Sequence, residues 1–223
     1  MSIVPIKTPT VAKKMFPNYV WDIATTRKEL YLTFDDGPTP EITNWTLDIL
    51  DQYHAKASFF CIGANVEKHP SIFKRILSKG HTIGNHTQNH LKGWSTKTQN
   101  YLSDVKEAET TINTILLNEK ISKVSLFRPP YGQIKPQQSK NIRALGYQII
   151  MWDVLSFDWE QDISEEQCLE NVISKSKPGS IIVFHDSVKA SKNMRYALPK
   201  VLAFFSNKGF EFKSLPQDLK IRF

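Results

Sequence analysis

Five short stretches of the 223-residue chain concentrate the residue types that move protons, bind metals or stack on sugars. In Thr33-Phe34-Asp35-Asp36-Gly37-Pro38 two adjacent carboxylates precede a Gly-Pro turn, so they can point in different directions. One could bind a metal while the other stays free as a base; an Asp-Asp turn that caps the next helix reads the same residues equally well. His86-Thr87-Gln88-Asn89-His90 sets two histidines at i and i+4. On a helical turn that spacing puts both imidazoles on one face, where they can bite a single ion. Asp36 then supplies a third ligand. Two His and one carboxylate, with a position open to water, make the pattern of a catalytic zinc site.

The other three stretches supply walls and acids. Arg128-Pro129-Pro130-Tyr131-Gly132 is stiff and poor in donors, because proline fixes φ and lacks an N–H. It reads as a rigid turn, or as a wall that holds Arg128 and aims the Tyr131 N–H at a ligand. Trp152-Asp153-Val154-Leu155-Ser156-Phe157-Asp158-Trp159 places aromatics beside acids, which suits sugar stacking, a pocket floor or plain core. Val183-Phe184-His185-Asp186-Ser187 brings a histidine out of an apolar run, as a general acid or as a hydrogen-bonded core residue. Asp153 and Asp186 read as supporting residues. His54, His69 and His81 take no role.

The elements between these stretches set them in one register. Apolar runs at Leu30–Phe34, Ala57–Ile62, His81–Gly84, Ser125–Phe127, Tyr147–Trp152, Ser180–Phe184 and Phe210–Phe212 read as seven strands. Several are continuously apolar, as parallel strands covered on both faces are. Ile42, Trp45, Ile49, Leu50 and Tyr53 recur at helical spacing, as do Leu102, Val105, Ala108, Ile112, Ile115 and Leu116. Further helices are expected near Ser71–Ser78, Pro136–Leu145, Glu165–Ser176 and Asn193–Ser206, the last starting late or kinking at Pro199. Lys79-Gly80, Leu145-Gly146 and Lys208-Gly209 place a helix-ending glycine before the next strand. Alternating strands and helices predict a β/α barrel or a doubly wound sheet. In both folds the C-terminal ends of the strands, where the five stretches fall, form the rim on which sites are built. No linker divides the chain: residues 1–28 read as an N-terminal extension and 29–223 as one domain.

Composition excludes several classes. With 40% hydrophobic and 23% charged residues the chain is globular and not disordered. Cys61 and Cys168 are too few for a disulfide scaffold or a cysteine-based zinc module, and both read as buried thiols. No run approaches the ~18–20 apolar residues of a membrane span. The N-terminus has no apolar stretch after a basic start, so the chain as given is expected to be cytoplasmic, with export open if the natural chain starts earlier. The net charge of +7 is spread among acids and predicts no nucleic-acid binding. It suits an anionic glycan or lipid-linked substrate. Nothing in the sequence sets the oligomeric state.

Taken in order, TFDDGP, HTQNH, RPPYG, WDVLSFDW and VFHDS resemble the five motifs of the NodB-type polysaccharide deacetylases, the fourth carbohydrate esterase family. The resemblance runs from about Leu30 to Phe212. It implies an α/β fold, a distorted (β/α)7 barrel, and a hydrolase that removes N-acetyl groups from amino sugars in a glycan. It implies a divalent metal on Asp36, His86 and His90, zinc first, with cobalt or nickel as alternatives. Asp35 would be the base that takes a proton from the attacking water, and His185 the acid that protonates the leaving amine. Asp158 and Arg128 would form a charged network behind them. Tyr131, through its backbone N–H, and Pro130 beside it would serve the oxyanion and substrate, and Trp159 and Val183 the acetyl methyl. Two positions depart from the family pattern. Val183 stands where Leu is frequent, which implies a slightly wider methyl pocket, and Leu155 stands where many members carry Asp. Two alternatives stay open: the same barrel hydrolysing a formamide or cyclic amide, or a carbohydrate-binding relative without catalysis.

Overall fold

The computed structural model describes residues 4–217. Its strands are β1 (Tyr19–Val20), β2 (Glu29–Asp35), β3 (Ala57–Cys61), β4 (Thr82–Asn85), β5 (Leu126–Phe127), β6 (Gln148–Ile150), β7 (Val154–Leu155), β8 (Ile181–His185) and β9 (Glu211–Phe212). They pair in parallel in the order β1-β6-β5-β4-β3-β2-β8-β7, and β9 joins the N-terminal end of β2. The sheet curls into a distorted barrel. All seven expected strands are present, and β1 and β7 are additions.

Alternation along the central strands separates the two faces. Leu30, Leu32 and Phe34 of β2, Phe59 of β3, and Ile182 and Phe184 of β8 belong to the large outer core beneath the helices. Tyr31, Phe60 and Ile181, the residues between them, join Val20, Leu126, Ile150 and Leu215 in a smaller inner cluster. Continuing that inner alternation up β2 and β8 delivers Thr33, Asp35, Val183 and His185 to the inside of the C-terminal rim. The strand period by itself therefore selects which carboxylate and which histidine face the interior.

The outer layer is α1 (Thr10–Met15), α2 (Ile42–Gln52), α3 (Gly63–Lys68), α4 (Pro70–Ser78), α5 (Thr98–Asn118), α6 (Pro136–Ala144), α7 (Glu165–Ile173) and α8 (Ser191–Asn207). On α5, Val105, Ala108, Ile112 and Leu116 are buried as the sequence spacing predicts, Leu102 and Ile115 pack half-buried against the core, and Tyr101 joins the buried stripe. Gly80, Gly146 and Gly209 follow α4, α6 and α8 at positive φ, as expected. α8 differs from expectation: it begins at Ser191 and runs through Pro199. Proline removes a donor to the carbonyl four residues earlier, that of Arg195. Arg195 lies on the exposed side of the helix, where water can take the place of that donor.

The described part of the segment expected as an extension, residues 4–28, is built into the sheet. Consecutive strands β6 and β7 do not pair with each other, and the N-terminal segment fills the gap between them. β1 pairs with β6, while Leu155 N–H donates to the Ile6 carbonyl (2.9 Å) and Thr8 N–H to the Asp153 carbonyl (2.9 Å). Fully buried Asp153 lies at this seam. It accepts hydrogen bonds from Lys7 and Lys13 and from the Ser180 hydroxyl (2.5 Å). Lys13 also pairs with Asp22. The sequence did not signal this role because two-residue strands are too short to show a period.

Among the described residues no helix is long and apolar enough to cross a membrane. Cys61 and Cys168 are free, buried thiols. We expect Asp153→Ala to lower stability by about 2–4 kcal/mol in urea denaturation. Breaking a buried pair costs ~3–5 kcal/mol, and the partial exposure of both lysines reduces that here.

Candidate active site

The Asp35-Asp36 and His86–His90 stretches meet at a cavity of about 610 Å³ on the C-terminal rim. Asp35 ends β2, and Asp36 follows it with φ of 80°, so the two side chains diverge. His90 Nε2 lies 3.2 Å and His86 Nε2 3.7 Å from Asp36 Oδ1. One donor atom from each of the three residues falls within 4.8 Å of the others.

The 86–90 stretch is not the expected helical turn. It is an irregular loop in which Thr87 and His90 hold φ of 66° and 56°. Its shape comes from outside itself. Asp104 of α5 accepts the N–H of Gln88 (2.8 Å) and Asn89 (3.1 Å), and the Asn85 side chain accepts the Thr87 N–H (2.8 Å). Asp104 was missed by the sequence reading. It lies fifteen to sixteen residues away from the groups it holds, and nothing local marks it.

This donor set fits a divalent metal on four grounds. Asp36 Oδ1 is buried and accepts no hydrogen bond among the described residues. His86 turns Nδ1 to the Arg128 carbonyl at 2.8 Å, which in the neutral ring must be the donating nitrogen, so Nε2 keeps its lone pair toward Asp36. Burial moves His86 down to about 4, so the ring is neutral at neutral pH. Burial alone would raise Asp36, but the imidazoles of His90, His185 and His86 hold it well below the usual carboxylate range.

Asp35 has opposite surroundings. The Arg128 guanidinium, fully buried, donates to Asp35 Oδ1 at 2.6 Å and to the Thr33 hydroxyl at 2.8 Å. It also donates to the Met151 carbonyl (2.9 Å) and the Ile150 carbonyl (3.3 Å), and it sits 4.1 Å above the Phe60 ring. The charge-assisted bond to Asp35 leaves the second carboxylate oxygen for the cavity, which Asp35 lines.

On β8, in register with Asp35 of β2, His185 Nδ1 is 2.8 Å from Asp158 Oδ1, and the His185 backbone N–H donates to Asp158 Oδ2 at 2.7 Å. Burial lowers His185, but the Asp158 charge and hydrogen bond, with Asp36 and Asp35 adding to them, raise it to about 9. With Nδ1 taken by Asp158, Nε2 is the nitrogen left for the cavity. The Trp159 ring meets His185 edge-on at 4.8 Å and stacks with Phe157 at 4.9 Å. Burial pushes Asp186 up to about 7, with the Asp36 charge adding to the rise and the Thr43 hydroxyl opposing it.

Of the residues singled out from the sequence, Asp35, Asp36, His86, His90, Tyr131, Trp159, Val183 and His185 line the cavity. Arg128 and Asp158 stand behind it, each bonded to a lining residue. Pro130, buried in the 3-10 turn Pro130–Gly132, is not among the lining residues, whereas its neighbour Pro129 is. Tyr131 in that turn holds φ of 59° and packs its ring 4.6 Å from His90. Val4, Gln133, Glu160 and Lys189 also line the cavity and had no signal in the sequence. His81 keeps its structural place: burial lowers it to about 4, and Nδ1 accepts the Ala57 N–H at 3.1 Å.

Comparison with known proteins gives the family. Residues 22–150 match the polysaccharide deacetylase family. A peptidoglycan-N-acetylglucosamine deacetylase of Bacillus cereus is 31% identical over 208 residues, covering 91% of this chain and 93% of that protein. A second one from the same organism is 36% identical over 191 residues, covering 85% and 68%. The crystal structure of the Bc1960 peptidoglycan N-acetylglucosamine deacetylase, in complex with 4-naphthalen-1-yl-N-oxidanyl-benzamide, matches with a TM-score of 0.84 at 33% identity and covers 94% of this chain and 95% of that one. A family match over more than half the chain, near-complete relatives and a shared distorted barrel lead to one conclusion: the chain belongs to the polysaccharide deacetylase family of hydrolases.

Proposed function

We propose that this protein is a metal-dependent deacetylase that releases acetate from N-acetylated amino sugars of a glycan, of the peptidoglycan N-acetylglucosamine type. One observation carries the reading: an Asp/His/His donor set, a second carboxylate held by arginine, and a histidine–aspartate pair line or back a single cavity. The relatives named as peptidoglycan-N-acetylglucosamine deacetylases support the substrate class.

A divalent metal, zinc first, held by Asp36, His86 and His90 would supply Lewis acidity toward the amide carbonyl and the attacking water. The remaining work falls to the chain's own groups. Asp35 accepts the proton of the water through the oxygen that Arg128 leaves free. Arg128 keeps that carboxylate oriented, because its buried guanidinium holds the other oxygen at 2.6 Å. The Tyr131 N–H donates to the oxygen that gains charge as the carbonyl carbon becomes tetrahedral, a contribution of ~3 kcal/mol where such donors have been removed. His185 Nε2–H then protonates the leaving nitrogen, so that acetate and a free amine depart. Trp159 and Val183 line the side of the cavity that takes the acetyl methyl.

Acetate release from tri- to hexameric N-acetylglucosamine and from peptidoglycan fragments tests the substrate class. Hydrolysis of formamides or cyclic amides with no acetate from these glycans would sink it. Elemental analysis separates the roles: His86→Ala and Asp36→Ala are expected to lose the metal. Asp35→Asn and His185→Ala are expected to keep it and lose kcat by about 10²–10⁴-fold, the usual worth of a general base or acid. Near-normal turnover in Asp35→Asn contradicts its role.

The pH profile gives a further test. An acid raised to about 9 is protonated below that pH, so activity falls on the alkaline side as pH rises through about 9. Asp158→Asn removes the main opposition to burial, and the alkaline limb is then expected to move down by more than about one pH unit. An unmoved limb would take the acid role away from His185.

A further inference from the structure

Asp36 can face His86 and His90 only because its backbone takes a left-handed conformation, φ 80°, that a residue with a Cβ rarely adopts. Such a conformation persists where the surroundings over-determine it, and the peptide groups around Asp36 are each tied down. The Asp36 carbonyl accepts the Asn65 side-chain amide at 2.7 Å, and the Gly37 carbonyl accepts the Ile62 N–H at 3.0 Å. The Gly37 N–H donates to Asp186 Oδ1 at 3.1 Å. The other oxygen of Asp186 accepts the Thr43 hydroxyl at 2.5 Å, and the Thr43 oxygen in turn accepts the Thr39 N–H at 2.7 Å. The Asp186 backbone N–H donates to the Asp35 carbonyl at 3.2 Å.

One buried carboxylate thus reaches the turn at Gly37 directly and its far end at Thr39 through Thr43. It is fully buried and is not among the residues lining the cavity. The fit is tight: a Cβ added at Gly37 would lie 2.1 Å from Asp186 Oδ2 and 2.6 Å from its Cγ. Any other residue at 37 would displace the carboxylate.

We propose that Asp186 is a positioning residue for the Asp35–Asp36 turn: by clamping Gly37 and Thr43 it holds the Asp36 carboxylate where it meets His86 and His90. The inference rests on the metal reading of those three residues. It gives Asp186 a task separate from that of His185 beside it, and it acts on metal affinity before any chemistry.

The test is zinc titration of the full chain, stripped of metal, against a chromophoric chelator, with circular dichroism as the check on folding. Asp186→Ala is expected to weaken zinc binding at least about tenfold, the scale seen when groups that orient metal ligands are removed. Asp186→Asn, whose amide oxygen can still accept the Gly37 N–H, is expected to stay within about threefold of the unmodified protein. Gly37→Ala should reproduce the loss of Asp186→Ala by pushing the carboxylate away. Folded Asp186→Ala protein with unchanged zinc affinity and only a lower melting temperature overturns the proposal. If Asp186→Ala does not fold, Thr43→Val removes one of the two side-chain bonds alone, and unchanged affinity there overturns it equally. Failure of the unmodified chain to bind zinc would overturn the metal reading, and the clamp with it. Unmodified binding matched by Asp186→Ala overturns the clamp alone.

Discussion

A guanidinium sealed inside the barrel sets the terms for the rest of this structure. Arg128 has no exposed surface, and a buried charge costs several kcal/mol unless it is paired and its donors are satisfied. Every constraint that follows from that cost is met by the rim. Asp35 and Thr33 come from β2, and the Ile150 and Met151 carbonyls from the end of β6. Phe60 supplies a π-face below. Arg128 also offers its carbonyl to His86 and thereby selects the tautomer of that imidazole. The Asp35 carboxylate and the His86 imidazole are therefore oriented by one residue, through its side chain in one case and its backbone in the other.

Two neighbouring aspartates consequently differ in chemistry. Asp35 points to a permanent cation inside the barrel, while Asp36 turns outward to a ring of imidazoles. The backbone reversal at Asp36 separates them, and the groups around each, not the residue type, assign the tasks. His185 follows the same rule. Alone, burial would make it a weak base; beside buried Asp158 it becomes an acid that keeps its proton above neutral pH.

The barrel that carries this rim closes in an indirect way. Strands β6 and β7 are consecutive yet unpaired, and the chain's first described residues bridge the space between them. At that seam Asp153 gathers two lysines that come from far earlier in the chain. Val4, from the same segment, reaches the cavity wall beside Leu155. The N-terminal segment thus shapes the cavity as well as closing the sheet.

Local rules were enough for much of this protein. Apolar runs located the seven expected strands, because parallel strands covered on both faces bury nearly every side chain, while which of those side chains face inward showed only in the folded sheet. Helical spacing located the buried stripe of α5, and glycines marked three helix ends, because both depend on a few neighbouring residues. The five motif stretches carried the family, since their residue types and order are read directly from the chain. What the sequence could not decide depends on residues that meet only after folding. The i, i+4 spacing of His86 and His90 suggested a helical turn, yet Asp104 and Asn85 hold an irregular loop that converges both rings by another route. β1 became a strand because β6 needed a partner, and Asp186 sits against Gly37 because β8 lies beside β2. The reason is the same in each case: a hydrogen bond between distant segments leaves no period, spacing or composition in either segment alone.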